Sequence, residues 1–284
     1  MANTDALVWR ALHDADVDGA VALDAEAGWN QIAADWRQML AMGAGTGVVA
    51  PDGRLAATSM LLPMEGRFGW IAMILVTGDW QRRGLATELM RRCIAEARQR
   101  GLIAGLDATE AGRLVYLPLG FRDIYSLSRW MAERPEVPGS ALGVRPVAID
   151  DLGRIGQWEA EIFGADRTDF LRHLWDRCPE RAFLAERDGA ITGFVLARDG
   201  RLATQIGPLS AADRDSAECL LRAALGSAQG PVFLDAADRH GWIAEMLRPA
   251  GFERQRGYMR MLLDRDEPLD DPERVYLIAG PEFG

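Results

Sequence analysis

The chain has 284 residues, 49% of them apolar and 26% charged, and a formal net charge of −10. That length suits one large domain or two of ordinary size, with apolar material enough for a substantial core. So acidic a chain neutralises phosphates poorly, which argues against nucleic acid as a partner, and no apolar run reaches the roughly 18 residues that span a bilayer, which argues against a membrane.

The opening, Met1 to Arg10, has no basic segment ahead of an apolar core, so no signal peptide is expected. Val48-Val49-Ala50-Pro51-Asp52-Gly53 reads as a hairpin with an Asp-Gly turn. Trp70 to Val76 is an apolar run of strand length. The segment Thr77-Gly78-Asp79-Trp80-Gln81-Arg82-Arg83-Gly84-Leu85-Ala86-Thr87 then leads into an amphipathic helix. Leu85, Leu89, Cys93, Ile94 and Ala97 share one face of that helix, and Arg98-Gln99-Arg100-Gly101 closes it with cations and a glycine stop. A strand, a glycine loop and a helix N-terminus leave backbone N–H groups without partners, and with the helix dipole behind them they form an anion site suited to phosphate. Gly84 and Ala86 let a ligand approach the backbone closely. Neither a Gly-Lys-Ser/Thr nor a G-x-G-x-x-G run is present, so the loop is not of the nucleotide types. Solvated arginines on an ordinary loop would account for Arg82 and Arg83 equally well. Further on, Leu106-Asp107-Ala108-Thr109 is followed by Tyr116 and by Gly120-Phe121.

The loop resembles the Q/R-x-x-G-x-G/A motif of the GNAT superfamily of N-acetyltransferases, read here as Gln81-x-x-Gly84-x-Ala86, and Leu106 to Phe121 resembles that family's strand and tyrosine-bearing helix. One departure is Gly78, where the family usually has proline; it loosens the loop without removing N–H donors. The resemblance implies acetyl-CoA as acyl donor, with its pyrophosphate on Gln81, Arg82, Arg83, Gly84, Leu85, Ala86 and Thr87 and no metal. It implies that backbone groups of Ile74, Leu75 and Val76 bond the thioester carbonyl and pantetheine arm. Thr109 stands where many members have an asparagine on that arm, and Tyr116 matches the tyrosine that protonates the leaving thiolate. Tyr116 as a packing aromatic and Thr109 as a helix cap are the plainer alternatives. No general base is clear: Asp107 and Glu110 are candidates, and His13, His173 and His240 have no partners at motif spacing.

The chain repeats itself. Phe233-Leu234-Asp235-Ala236-Ala237, a helical stretch to Leu247 and Gly251-Phe252 echo Leu106 to Phe121, and Arg129 and Arg260 follow the two Gly-Phe pairs at the same interval. Phe183 to Gly189 pairs with Val48 to Gly53, and Arg145 and Asp151 answer Arg10 and Asp16. Several matches in one order argue for duplication. The expectation is an α/β fold (mixed α+β sheet) of tandem GNAT type, two similar domains: 1–135 binding acyl-CoA and catalytic, a linker over 136–143, and 144–284 covering the acceptor side without a CoA loop. In the second copy acidic residues from Asp213 occupy the loop position, and Gly207-Pro208 reads as a plain turn before a helix over 216–225, with a ligand loop as the alternative. Cys93, Cys178 and Cys219, odd in number and scattered, speak against disulfides and metal and for a cytoplasmic setting. The expected activity is acyl transfer from acetyl-CoA to the amine of a small-molecule or amino-acid-like acceptor, to which an acidic surface is suited. The alternative is a non-catalytic acyl-CoA-binding regulatory module. Oligomeric state is left open.

Overall fold

Alternating side chains along the central strands bury both faces of one sheet. In β3 (Leu55–Met64), Met60, Leu62 and Met64 face one core while Leu61 faces another, and β4 (Phe68–Val76) divides Phe68 and Trp70 from Ile71 in the same way. The computed structural model describes residues 6–136 and 143–284; most of the expected linker at 136–143 lies outside them.

The first half runs β1 (Val8–Ala11), α1 (Val17–Glu26), α2 (Ala33–Met42), β2 (Ala44–Val49), β3, β4, α3 (Leu85–Gln99), β5 (Ile103–Thr109), α4 (Glu110–Tyr116) and β6 (Phe121–Ala132). The second repeats that succession: β7 (Val144–Pro146), α5 (Leu152–Phe163), α6 (Thr168–Arg177), β8 (Phe183–Arg187), β9 (Ala190–Arg198), β10 (Thr204–Ala211), α7 (Arg214–Ser227), β11 (Val232–Ala237), α8 (Gly241–Leu247) and β12 (Glu253–Leu263). A short β13 (Val275–Leu277) follows, with no counterpart among the described residues. The duplication read from the sequence is thus a duplication of elements. The repeated Arg–Asp openings are built alike: Arg10 grips Asp16, and Arg145 grips Asp151, through two hydrogen bonds each.

The strands of both halves join in one mixed sheet, ordered β1-β2-β3-β4-β5-β12-β6-β11-β13-β10-β9-β8-β7. The last strand of each repeat has crossed into the other half. β12 pairs antiparallel with β5, and β6 with β11, while β6 and β12 pair with each other at the centre. Helices α1, α2, α5 and α6 pack on one face over a core shared by both halves, in which Trp36, Leu62 and Phe68 meet Leu171, Phe194 and Phe283. On the opposite face α3 and α7 cover separate cores. Among the described residues no helix is long and apolar enough to cross a membrane.

The exchange is fastened by two buried ion pairs between directly opposed residues. Asp107 of β5 faces Arg260 of β12 and accepts two hydrogen bonds of 2.9 Å; Asp235 of β11 faces Arg129 of β6 and accepts two, at 2.8 and 2.7 Å. Both carboxylates are 0% exposed, and their arginines 5% and 7%. Asp270 takes a further bond from Arg260, and Gln205 donates to Asp235.

Gly207 and Pro208 differ from expectation. They lie inside β10, at an irregularity in its pairing with β9, and the helix that follows begins at Arg214. A side chain at Gly207 would collide with the Ile278 carbonyl, so the glycine is needed for packing of the following chain rather than for a turn.

Removing one partner of a buried pair leaves an uncompensated charge, which costs about 3–5 kcal/mol. Arg260→Ala, which strands Asp107 and Asp270 together, should lower the free energy of unfolding by that order. Equilibrium denaturation in urea checks this; a loss below about 1 kcal/mol would show that the pair does not fasten the exchange.

Candidate active site

The parallel strands β4 and β5 pair only at Phe68 to Trp70 against Ile103 to Gly105 and then splay apart. The splay exists because β4 is bulged. Its pairing with β3 runs from Ala72–Met60 to Leu75–Thr58, so Met73 and Ile74 together oppose Ser59. Met73 has φ of 55°, a costly left-handed conformation for a side-chain-bearing residue, and the buried Thr58 hydroxyl holds its carbonyl at 2.9 Å. Met73 and Ile74 thereby have no register partner on either neighbouring strand, which frees backbone polar groups for a ligand.

A cavity of about 90 Å³ lies in the splay, bounded by Ile71 to Ile74, Leu106 to Thr109 and Tyr116. A second one, of about 100 Å³, lies against Leu75, Val76, Thr77 and Gln81, with Leu23 and Glu26 of α1 on its other side. Together they line β4 from its bulge to the loop before α3. Of the residues singled out in the sequence, Ile74, Thr109 and Tyr116 therefore meet at the inner cavity, and Leu75, Val76 and Gln81 at the outer.

The loop is held open by its own contacts. Gln81 donates to the Val76 carbonyl at 3.2 Å, Arg83 to the Asp79 carbonyl at 2.8 Å, and the Gly78 N–H to Glu26 Oε1 at 2.7 Å. Arg82 is exposed with φ of 58°, and the Arg83 guanidinium lies over the Trp80 ring at 4.7 Å. Gly84, φ 80°, caps α3 with no side chain and with nothing within 4 Å of where a Cβ would stand. The amides of Leu85, Ala86 and Thr87 follow it in the first turn, where no intrahelical acceptor exists. The Leu85 side chain is committed to the core, so only its backbone can serve a ligand.

The second half closes both equivalents of these openings. At the start of α7 the Asp213 carboxylate takes the Ser216 N–H at 2.8 Å, occupying the helix end that Gly84 leaves bare. Between β10 and β11, which pair in parallel only at Thr204 to Ile206, β13 enters and pairs with both.

Tyr116 ends α4 with its ring tilted against Phe121, centroids 6.1 Å apart, and folded over Gly112, where a Cβ would sit 3.0 Å from the ring. Its hydroxyl has no hydrogen bond among the described residues. Burial pushes its pKa up to about 12, with Cys93 adding to the effect, and burial raises the Cys93 thiol to about 11. The Thr109 hydroxyl accepts the Gly112 N–H at 3.2 Å, so it is the cap of α4 as well as a cavity residue. Asp107 has both oxygens on Arg260 and is no free base; Glu110 is exposed in the first turn of α4. His240 stacks on Tyr276, 4.1 Å between centroids.

The rest of the inner cavity was not anticipated. Arg129, Arg256, Tyr258 and Glu282 line it, brought by the exchanged strands and the closing segment of the chain, with Gln31 from the α1–α2 connection. The final segment docks through Trp70 Nε1 on the Pro281 carbonyl at 2.9 Å and through Arg198 on Glu282. Periodicity and spacing in the sequence assign this segment, Gly280-Pro281-Glu282-Phe283-Gly284, no place in a site. Close by, Asp24 is 0% exposed; Trp36 donates to its Oδ2 at 2.5 Å, and Oδ1 has no partner among the described residues. Burial raises its pKa to about 8, opposed by the Trp36 bond and reinforced by Glu282 and Asp35. Among the described residues no cluster suits a metal ion.

Comparison with known proteins agrees with this geometry. Residues 9–121 match the model of the acetyltransferase (GNAT) family, and 155–277 match that of an acetyltransferase (GNAT) domain. An uncharacterized N-acetyltransferase of Bacillus subtilis (strain 168), YitH, is 24% identical over 272 residues, covering 94% of this chain and 95% of its own. A Pyrococcus horikoshii protein provisionally assigned as an acetyltransferase superposes with a TM-score of 0.80 at 22% identity, covering 100% of this chain and 98% of that one. A tandem GNAT protein from the clavulanic acid biosynthesis pathway superposes with a TM-score of 0.64 at 18% identity, covering 90% and 98%. At such identities the likeness to the two solved structures is one of fold.

Asp24 makes stability depend on pH. The unfolded chain releases this proton near pH 4 and the folded protein only near pH 8, so across that window the folded state binds more protons and stability falls as pH rises. Asp24→Asn keeps an acceptor for Trp36 but cannot ionise. It should match the parent protein near pH 4 and exceed its stability at pH 8 by up to about 5 kcal/mol. Urea denaturation at several pH values measures this; identical pH slopes would place the raised pKa elsewhere.

Proposed function

The chain belongs to the GNAT superfamily, with two domains of that fold in tandem, and from that premise we propose that it moves an acetyl or short acyl group from acetyl-CoA to the amine of a small, amino-acid-like acceptor. The observation that carries this reading is the contrast between the two splays. The first is open from its bulge to a bare helix end, and the second is filled by β13 and capped by Asp213. One acyl-CoA site per chain follows.

The residues present fit that donor. The N–H groups of Leu85, Ala86 and Thr87, behind an unobstructed Gly84, suit a pyrophosphate, and Gln81, Arg82 and Arg83 surround them. Ile74, Leu75 and Val76 run from there to the bulge along two adjoining cavities that suit the pantetheine arm. Backbone N–H groups near the bulge, fixed before reaction, stabilise the oxyanion that develops on the thioester carbonyl. The neutral amine attacks that carbon, the C–N bond forms and the C–S bond breaks. Tyr116 gives its hydroxyl proton to the departing thiolate, and the amine proton leaves to water. A phenol raised to about 12 by burial stays protonated at neutral pH and is held ready as a proton donor.

Calorimetric titration with acetyl-CoA should give one site per chain, and two sites would overturn the assignment of the second half as non-binding. Gly84→Asp should abolish that binding, because the added carboxylate faces the phosphates; nothing stands within 4 Å of the new Cβ, and circular dichroism should show the protein still folded despite the left-handed φ of 80°. Retained affinity would move the pyrophosphate to another loop.

Tyr116→Phe keeps the ring against Phe121 and removes only the hydroxyl. Turnover should fall by roughly 10²–10⁴-fold with acetyl-CoA affinity held within a few-fold, as for loss of a group that acts in the transition state. Unchanged turnover, with acyl transfer rate-limiting, would reduce Tyr116 to a packing residue.

A further inference from the structure

Arg256 stands immediately past an irregularity in β12, where the register with β6 shifts between Arg254 and Arg256, and it is opposed across the ladder by Arg129. Two arginines in register repel each other unless their charges are answered. Arg129 is answered, with both its bonds on the buried Asp235. Arg254 is turned to Ser128 Oγ at 2.8 Å. Arg256 is half-buried, lines the inner cavity, and among the described residues makes no hydrogen bond and no ion pair. In a chain of net charge −10, in which most buried arginines are matched to carboxylates, a half-buried guanidinium without a partner at a cavity wall is a site awaiting an anion.

The same cavity offers acceptors as well. Gln31 is 4% exposed, and its Oε1 is buried without a donor among the described residues. Glu282 takes Arg198 on Oε1 alone. A ligand that satisfies all these groups carries a carboxylate for Arg256 and N–H donors for Gln31 and Glu282. A simple alkylamine would leave Arg256 bare.

We propose that the acceptor is an amino acid, whose carboxylate is bound by Arg256 and whose amino group is directed to the bulged strand by Gln31 and Glu282. This rests on the acyl-transfer reading above and adds to it the chemical class of the acceptor. It also assigns the second half a part in catalysis without a donor site of its own: Arg256 and Glu282 both follow α8 in the chain, and the strand exchange carries Arg256 to the first splay. Arg256 is a specificity residue on this account.

The test compares the twenty common amino acids with their α-amides, which keep the amine and lose the carboxylate charge. Transfer from acetyl-CoA and calorimetric binding to the CoA-loaded protein are both read. For at least one amino acid, kcat/KM and affinity should exceed those of its amide by about tenfold to a hundredfold, the size of one charge-assisted contact. Arg256→Gln should bring that ratio to about one while leaving the amide within a few-fold and acetyl-CoA affinity unchanged. Arg256→Lys should recover part of the preference. Equal use of acid and amide by the parent protein, no binding of any amino acid, or a preference that survives in Arg256→Gln would each overturn the proposal. Tight, Arg256-dependent amino acid binding with no transfer to any amine would instead overturn the acyl-transfer reading and leave the carboxylate site standing.

Discussion

The crossed pairs Asp107–Arg260 and Asp235–Arg129 are the constraint on which the rest of this structure depends. Each joins the strand before a repeat's short helix to the final strand of the other repeat, in direct register and with the carboxylate wholly buried. A carboxylate and a guanidinium are too costly to bury unless they meet with good geometry, so the pairs tolerate no slippage of β6 or β12. A one-residue shift would turn every side chain of these strands to the wrong face. The pairs thus hold two homologous halves in a single sheet and fix which side chains of β12 point into the first half's cleft.

That cleft exists because β4 cannot remain beside β5. The bulge at Met73 and Ile74 turns the strand out of the ladder just where the parallel pairing ends, and Thr58 holds the strained carbonyl in place. The second half splays at the corresponding point but has extra chain to fill the gap: β13 lies between β10 and β11, and a side chain at Gly207 would strike Ile278. Two copies of one architecture therefore differ by the presence of a plug and by one carboxylate at a helix start. From such small changes one half keeps a ligand-sized space and the other becomes a wall of it.

Electrostatics inside the shared space follow from the same arrangement. Asp24, Asp35 and Glu282 converge beneath α1 and α2, and Arg177 and Arg198 from the second half answer two of the three. Burial raises the pKa of Asp24, and the Trp36 N–H that it accepts in place of a cation only partly opposes the rise. The contacts that join the halves are thus also those that set the charge beside the inner cavity.

Local chemistry made much of this legible in the sequence. The apolar run before the loop, the glycine without a Cβ at the start of α3, the threonine capping α4 and the parallel order of Arg, Asp and Gly-Phe in the two repeats all depend on neighbours within a turn or a strand. Each appeared where the pattern put it, and Gly207-Pro208 did not, because whether a Gly-Pro turns or continues a strand is decided by what packs against it. The sequence also showed that Arg129 corresponds to Arg260 and Asp107 to Asp235. Only the tertiary structure decided that each arginine binds the aspartate of the other repeat, since two equivalent strands offer either edge the same alternation of side chains. The residues proposed to bind the acceptor, Gln31, Arg256 and Glu282, which line the inner cavity, belong to the same class. They are far apart in the chain and carry no spacing signal, and they meet because burying the shared core and pairing its charges leaves the exchanged strands no other position.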